Sequence, residues 1–305
     1  MEVRKVNGFF IIFVIGYIGL SVVCASIMAY AQNSGIAVPD WIQYVMSEGI
    51  ILLIAIIYMI VQKIDPIREI PYKRIGIVDV ILSLVAGYCL IPAVLLISNL
   101  SMLFSTNYLE EGTTTLLTYP FAMQVILLAV IPPLVEELIF RGIFFSSYRK
   151  AGMTGAALMS GLLFGCFHLN INQALYAFVM GIVFAYMVEA TGSLWSSVIA
   201  HFAVNTYSIG IVQILKMAGI YAQDGSVSET FENAESVAGQ STAITVVQIA
   251  MIAVIAAVFM MLAVLCIRTM AKRHGNLEKM KIQKVKLSHI KNYFTAPVIV
   301  VFFVL

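Results

Sequence analysis

Residues 131–145 read IPPLVEELIFRGIFF, which sets two carboxylates, Glu136 and Glu137, and one guanidinium, Arg141, inside a long apolar run. At membrane depth a charged side chain costs ~2.5 kcal/mol or more, so such residues face a protein interior or a wet cavity. The whole chain is built for that depth. Of its 305 residues 61% are hydrophobic and 11% charged, against ~25% charged in soluble domains. At helical spacing Glu137 and Arg141 are i,i+4 neighbours that can pair. Glu136 stands about 100° round the helix and needs another partner.

Working outward, apolar runs of about 18 to 27 residues match the length that crosses a ~30 Å hydrocarbon layer. They predict an all-α, polytopic membrane helical bundle of about eight transmembrane helices, at 9–31, 45–62, 77–100, 119–145, 155–170, 173–190, 194–217 and 243–267. Lysine and arginine sort by loop. Arg4 and Lys5, the loop with Lys63, Arg68, Lys73 and Arg74, the pair Arg149 and Lys150, and eight basic residues from Arg268 to Lys291 alternate with loops 32–44, 101–118 and 218–242, which have none. Basic loops stay inside, so both termini are expected in the cytoplasm, in a multi-pass protein of the cell membrane. The first apolar run is too long for a signal-peptide core and is read as a retained span. Three regions follow: helices one to three (1–118), a core of four helices (119–217), and a last helix with a basic tail (218–305). The tail suits either an anionic lipid surface or a topology-setting flank. Residues 294–305 are apolar but too short to span.

Several residues read as bland. Cys24, Cys89, Cys166 and Cys266 all sit in apolar runs, which suggests packing and no disulfide framework or zinc cluster. Glu48, Asp79 and Glu189 lie near span ends, where a carboxylate reaches the interface cheaply.

Two of the four histidines fall in spans, the other two (His274 and His289) in the tail. His168 closes FGCFHLNIN four residues after Phe164; His201 and Asn205 share a helical face in SVIAHFAVNTY. A lone membrane histidine is usually an interhelical hydrogen bonder. Two of them with an asparagine and a spare glutamate, all between the fourth and seventh spans, suit amide hydrolysis. Glu136 would act as general base on a water that His168 helps to hold. His201 and Asn205 would stabilise the oxyanion, one such donor contributing ~3 kcal/mol. Alternatively Glu136, His168 and His201 would bind zinc, which activates the water. Neither H-E-x-x-H nor a Gly-x-Ser-x-Gly elbow is present.

Glu136-Glu137-x-x-x-Arg141, Phe164-x-x-x-His168 and His201-x-x-x-Asn205 together resemble the three-motif pattern of the CPBP family, the CAAX prenyl proteases and bacteriocin-processing (Abi) proteins. The resemblance covers roughly Pro132 to Tyr207. It implies an intramembrane endopeptidase of glutamate type: Glu136 and His168 activate water, His201 and Asn205 form the oxyanion hole, and Glu137, Arg141 and Phe164 support them. No cofactor is required on this reading, with zinc as the alternative. The partners implied are a peptide or membrane-anchored protein substrate and the bilayer, with no nucleic acid. A non-catalytic immunity or partner-binding protein using the same polar cluster is the competing reading. A proton-relaying transporter would need duplicated halves, and the sequence has none.

Two expectations concern placement. Glu136 and His201 lie seven to nine residues from the cytoplasmic side, which predicts a site opening that way. His168, at the far end of the fifth span, meets them only if that span is short or strongly tilted.

Overall fold

The computed structural model describes residues 3–105, 118–219 and 242–282. Glu110 and Glu111, most of the acidic loop 218–242, and the tail with Lys284, Lys286, His289, Lys291 and the apolar end 294–305 lie outside the described residues. Eight main helices carry the described chain: α1 (Val3–Asn33), α2 (Trp41–Val61), α3 (Ile77–Ser101), α4 (Phe121–Tyr148), α5 (Met153–Phe167), α6 (Ile171–Thr191), α7 (Trp195–Met217) and α8 (Thr242–Arg273). Among the described residues there is no strand, only an isolated bridge between Tyr72 and Ser193. The chain is an all-α, multi-pass membrane bundle. Seven helices are long and apolar enough to cross a membrane.

The eighth, α5, is the exception to the predicted spans. Its 15 residues rise ~22 Å, short of a ~30 Å hydrocarbon layer. The turn from α5 into α6 therefore lies within the bundle, and its polar groups are met by protein. Asn172 is buried, donates from Nδ2 to the Ser98 carbonyl (3.0 Å) and Ser101 Oγ (2.7 Å), and accepts from Ser98 Oγ. Asn170 caps α6 by accepting from the Asn172 N–H, the usual role of asparagine at a helix start.

Helix α4 is continuous but unevenly wound. Pro132 and Pro133 open an α-helical piece (Ile131–Glu137), flanked by wider π-helical turns at Val125–Val130 and Leu138–Phe145. A proline removes a donor and crowds the carbonyl four residues back; the wider turn absorbs that crowding. Because α4 continues to Tyr148, Glu136 sits twelve residues from its end and deeper than the span 119–145 implied.

Close contact between helices rests on small residues. A Cβ on Gly181 of α6 would stand 2.5 Å from the Gly161 Cα of α5, and one on Gly87 of α3 would stand 2.4 Å from the Ala200 carbonyl of α7. Elsewhere the contact is aromatic. Phe13 of α1, Phe140 and Phe144 of α4 and Phe167 of α5 form one buried cluster.

The basic loops gather at one end of the bundle. Arg149 donates to Glu189 (2.8 Å), Arg273 and His274 hold Asp79 (3.2 and 3.0 Å), and the Leu194 N–H donates to the Pro71 carbonyl (2.7 Å). Asp79 and Glu189 are thus buried, paired ties between helices rather than carboxylates reaching for the interface. His274 is one of the ties. The charge rule predicts this end to be the cytoplasmic one.

Candidate functional site

The local spacing on α4 does what i,i+4 geometry requires. Arg141 Nη1 donates to Glu137 Oε1 at 2.8 Å, and both side chains are fully buried. Arg141 has further support from ring faces: its guanidinium carbon lies 4.3 Å from the Phe164 centroid and 5.2 Å from that of Phe184, a cation–π arrangement. Phe164, from the second motif, therefore acts as the floor under Arg141. Gly181 leaves the room, since a Cβ there would come within 3.0 Å of Arg141 Nη2.

His201 of α7 reaches both carboxylates. Its Nδ1 lies 3.1 Å from Glu137 Oε1 and its Nε2 3.7 Å from Glu136 Oε2. Glu137 can only accept, so Nδ1 carries the proton of that bond, and Nε2 is the atom turned toward Glu136. The imidazole is wedged edge-on to Phe164 (5.7 Å) and tilted against Phe184 (5.3 Å). His168, just past the end of α5, pairs its Nδ1 with the Phe164 carbonyl at 2.7 Å. That carbonyl accepts, so Nδ1 is again the protonated nitrogen and Nε2 is left for another partner.

Asn205, one turn beyond His201, donates from Nδ2 to the Leu128 carbonyl at 2.9 Å. The cause lies in α4. The residues four and five beyond Leu128 are Pro132 and Pro133, neither of which has an N–H to offer. Asn205 supplies the missing donor, which fixes its amide and leaves its second N–H unspent.

A cavity of about 310 Å³ brings Glu136, Phe164, His168, His201 and Asn205 together, lined also by Glu48, Tyr176 and Ser208. Glu137 and Arg141 lie behind it. The cavity bears on one expectation. Its walls come from the starts of α2 and α6, Val94 of α3, α4 from Leu127 to Glu136, the end of α5 and α7 from His201 to Ser208. It therefore lies at mid-bundle depth and reaches toward the end away from the basic loops. A larger cavity of about 810 Å³ lies at the basic end, among Arg68, Lys73, Arg149, Lys150 and Lys279, and contains none of the motif residues.

Glu48 is the residue that sequence reasoning passed over. It lies seven residues inside the 21-residue helix α2, too far from the end for the interface to claim it, and that depth was the available signal. Among the described residues no three His, Cys, Asp or Glu side chains are placed to hold a metal ion.

The family model described as Type II CAAX prenyl endopeptidase Rce1-like matches residues 118–207. A curated relative from Bacillus subtilis (strain 168), named "Putative membrane peptidase YdiL", is 32% identical over 88 residues. That match covers 28% of this chain and 36% of the relative, so the chain spans about a third of the length of the curated relative it matches. No solved structure matches the chain. The matched stretch runs from the start of α4 to the middle of α7 and carries all three motifs; α1 to α3, with Glu48, and α8 lie outside it. Residues 118 to 207 are thus similar to the Rce1-like CAAX prenyl endopeptidase family, the one that the three motifs in this segment resemble.

Proposed function

We propose that the chain is an intramembrane endopeptidase that hydrolyses a peptide bond in a membrane-associated peptide or protein with a glutamate-activated water. The observation that carries this reading is the position of His201, 3.7 Å from Glu136 and 3.1 Å from Glu137, inside a cavity shared with His168 and Asn205.

Glu136 takes one proton from the water as its oxygen attacks the carbonyl carbon, and His168 Nε2 accepts the water's other O–H to orient it. The tetrahedral intermediate places negative charge on the former carbonyl oxygen. The spare N–H of Asn205 and, when the ring is doubly protonated, the Nε2–H of His201 are donors for that charge. Glu137 holds the His201 ring in position and Arg141 balances Glu137. As the C–N bond breaks, Glu136 returns its proton to the leaving amine.

The test is cleavage of quenched and membrane-anchored peptides by purified protein in liposomes, beside Glu136→Ala and His201→Ala, with and without a chelator. Cleavage lost in both variants and indifferent to chelator is the expected result. Equal cleavage by both variants would place the site elsewhere, and loss on chelation restored by zinc would replace the glutamate mechanism with a metal one.

A further inference from the structure

Resting on that peptidase reading, we propose that Glu48 makes the cavity selective for a cationic side chain, lysine or arginine, beside the scissile bond. Glu48 comes from α2, outside the matched segment, and shares the cavity wall with Glu136. Its Oε2 is buried without a hydrogen-bond partner, and it lies within Coulombic range of Glu136. A buried carboxylate without a partner is unfavourable until a counter-charge arrives.

The charges of the site leave that place open. Glu136, Glu137 and Glu48 are three carboxylates, and Arg141 is the one guanidinium among them. Arg141 is committed to Glu137 at 2.8 Å and enclosed by Phe164 and Phe184. His201 lies between Glu136 and Glu137, and His168 is turned to the Phe164 carbonyl. None of these contacts reaches Glu48. A substrate ammonium or guanidinium entering beside Glu136 supplies the missing positive charge where water is scarce, which is where a charge pair discriminates best. The cavity is also partly polar: Tyr44, Ser47 and Gln173 line it near Glu48 and Glu136, giving a long cationic chain groups to pass.

The experiment uses the full chain in liposomes and Ala-Leu host peptides carrying a single lysine or its uncharged analogue norleucine at successive positions. Wild type is expected to prefer lysine at one position by about tenfold or more in kcat/KM. Glu48→Gln brings that ratio toward one, and Glu48→Lys reverses it in favour of a glutamate-bearing peptide. Binding of the same peptides to Glu136→Gln protein, followed by fluorescence anisotropy, gives a readout that needs no turnover. Tighter binding of the lysine peptide, lost on adding Glu48→Gln, is expected there too. Should wild type treat lysine and norleucine alike, or should Glu48→Gln slow both peptides by the same factor, the proposal is overturned. Should binding keep its Glu48-dependent preference while nothing is cut, the peptidase reading fails and the cation site stands.

Discussion

Asn205 Nδ2 lies 2.9 Å from the carbonyl oxygen of Leu128, the carbonyl that Pro132 and Pro133 leave without a helical donor. A helix defect in α4 and a side chain on α7 thus complete each other, and the amide proposed for the oxyanion is held by a bond that chemistry does not consume. Asn205→Ala should lower kcat by ~10²–10³-fold with a smaller change in KM. It should also cost about 1 kcal/mol of stability through the orphaned carbonyl. Single-turnover kinetics and thermal melting in detergent separate the two effects; a melting shift with unchanged kcat would leave Asn205 a purely structural donor.

The Glu137–Arg141 pair is fully buried, and removing one partner of such a pair typically costs 3–5 kcal/mol. Arg141→Met should therefore destabilise strongly, and adding Glu137→Leu should recover much of the loss while the protein stays inactive, because His201 has lost its anchor. The check is melting of both variants beside a cleavage assay. A double variant no more stable than Arg141→Met would contradict the charge argument.

Gly181 faces Gly161 across the α5–α6 contact, with the Arg141 guanidinium at its side. Gly181→Ala forces these backbones apart at a cost of ~1–3 kcal/mol and displaces Arg141 from between its rings. Activity should fall further than Gly19→Ala, which adds its methyl where nothing lies within 4 Å. Matching losses in the two variants would remove the packing explanation.

The cavity reaches the starts of α2 and α6, away from the basic loops, so the site is expected to open to the non-cytoplasmic side. With the native cysteines replaced, Ser208→Cys, on the cavity wall, is expected to react with a membrane-impermeant maleimide on intact cells. Lys150→Cys, on the basic loop, is expected to react only after permeabilisation. The opposite pattern would invert the topology and return the site to the cytoplasm.

The eight helical segments and the Glu137–Arg141 pair were legible because both are local. Span length is set by hydrocarbon thickness, and an i,i+4 contact follows from the pitch of one helix. The charge alternation of the loops was legible for the same reason, as each loop is judged by its own residues. The three motifs could also be grouped, since they fall within the four successive helices α4 to α7. Their mutual distances could not, because those depend on how far each helix extends and how it tilts. The short α5 shows this. Its length is set by Asn172 finding Ser98 and Ser101 on α3, more than seventy residues earlier. Glu48 shows it again. Nothing on α2 predicts a neighbour on α4, and with the span drawn from residue 45 rather than Trp41 the carboxylate reads as close enough to the interface to reach it. By itself the sequence determined a membrane bundle with ionisable groups in its middle. The tertiary structure decided which of those groups meet, because helices pack where glycines let backbones close and buried charges settle only where other helices bring them partners.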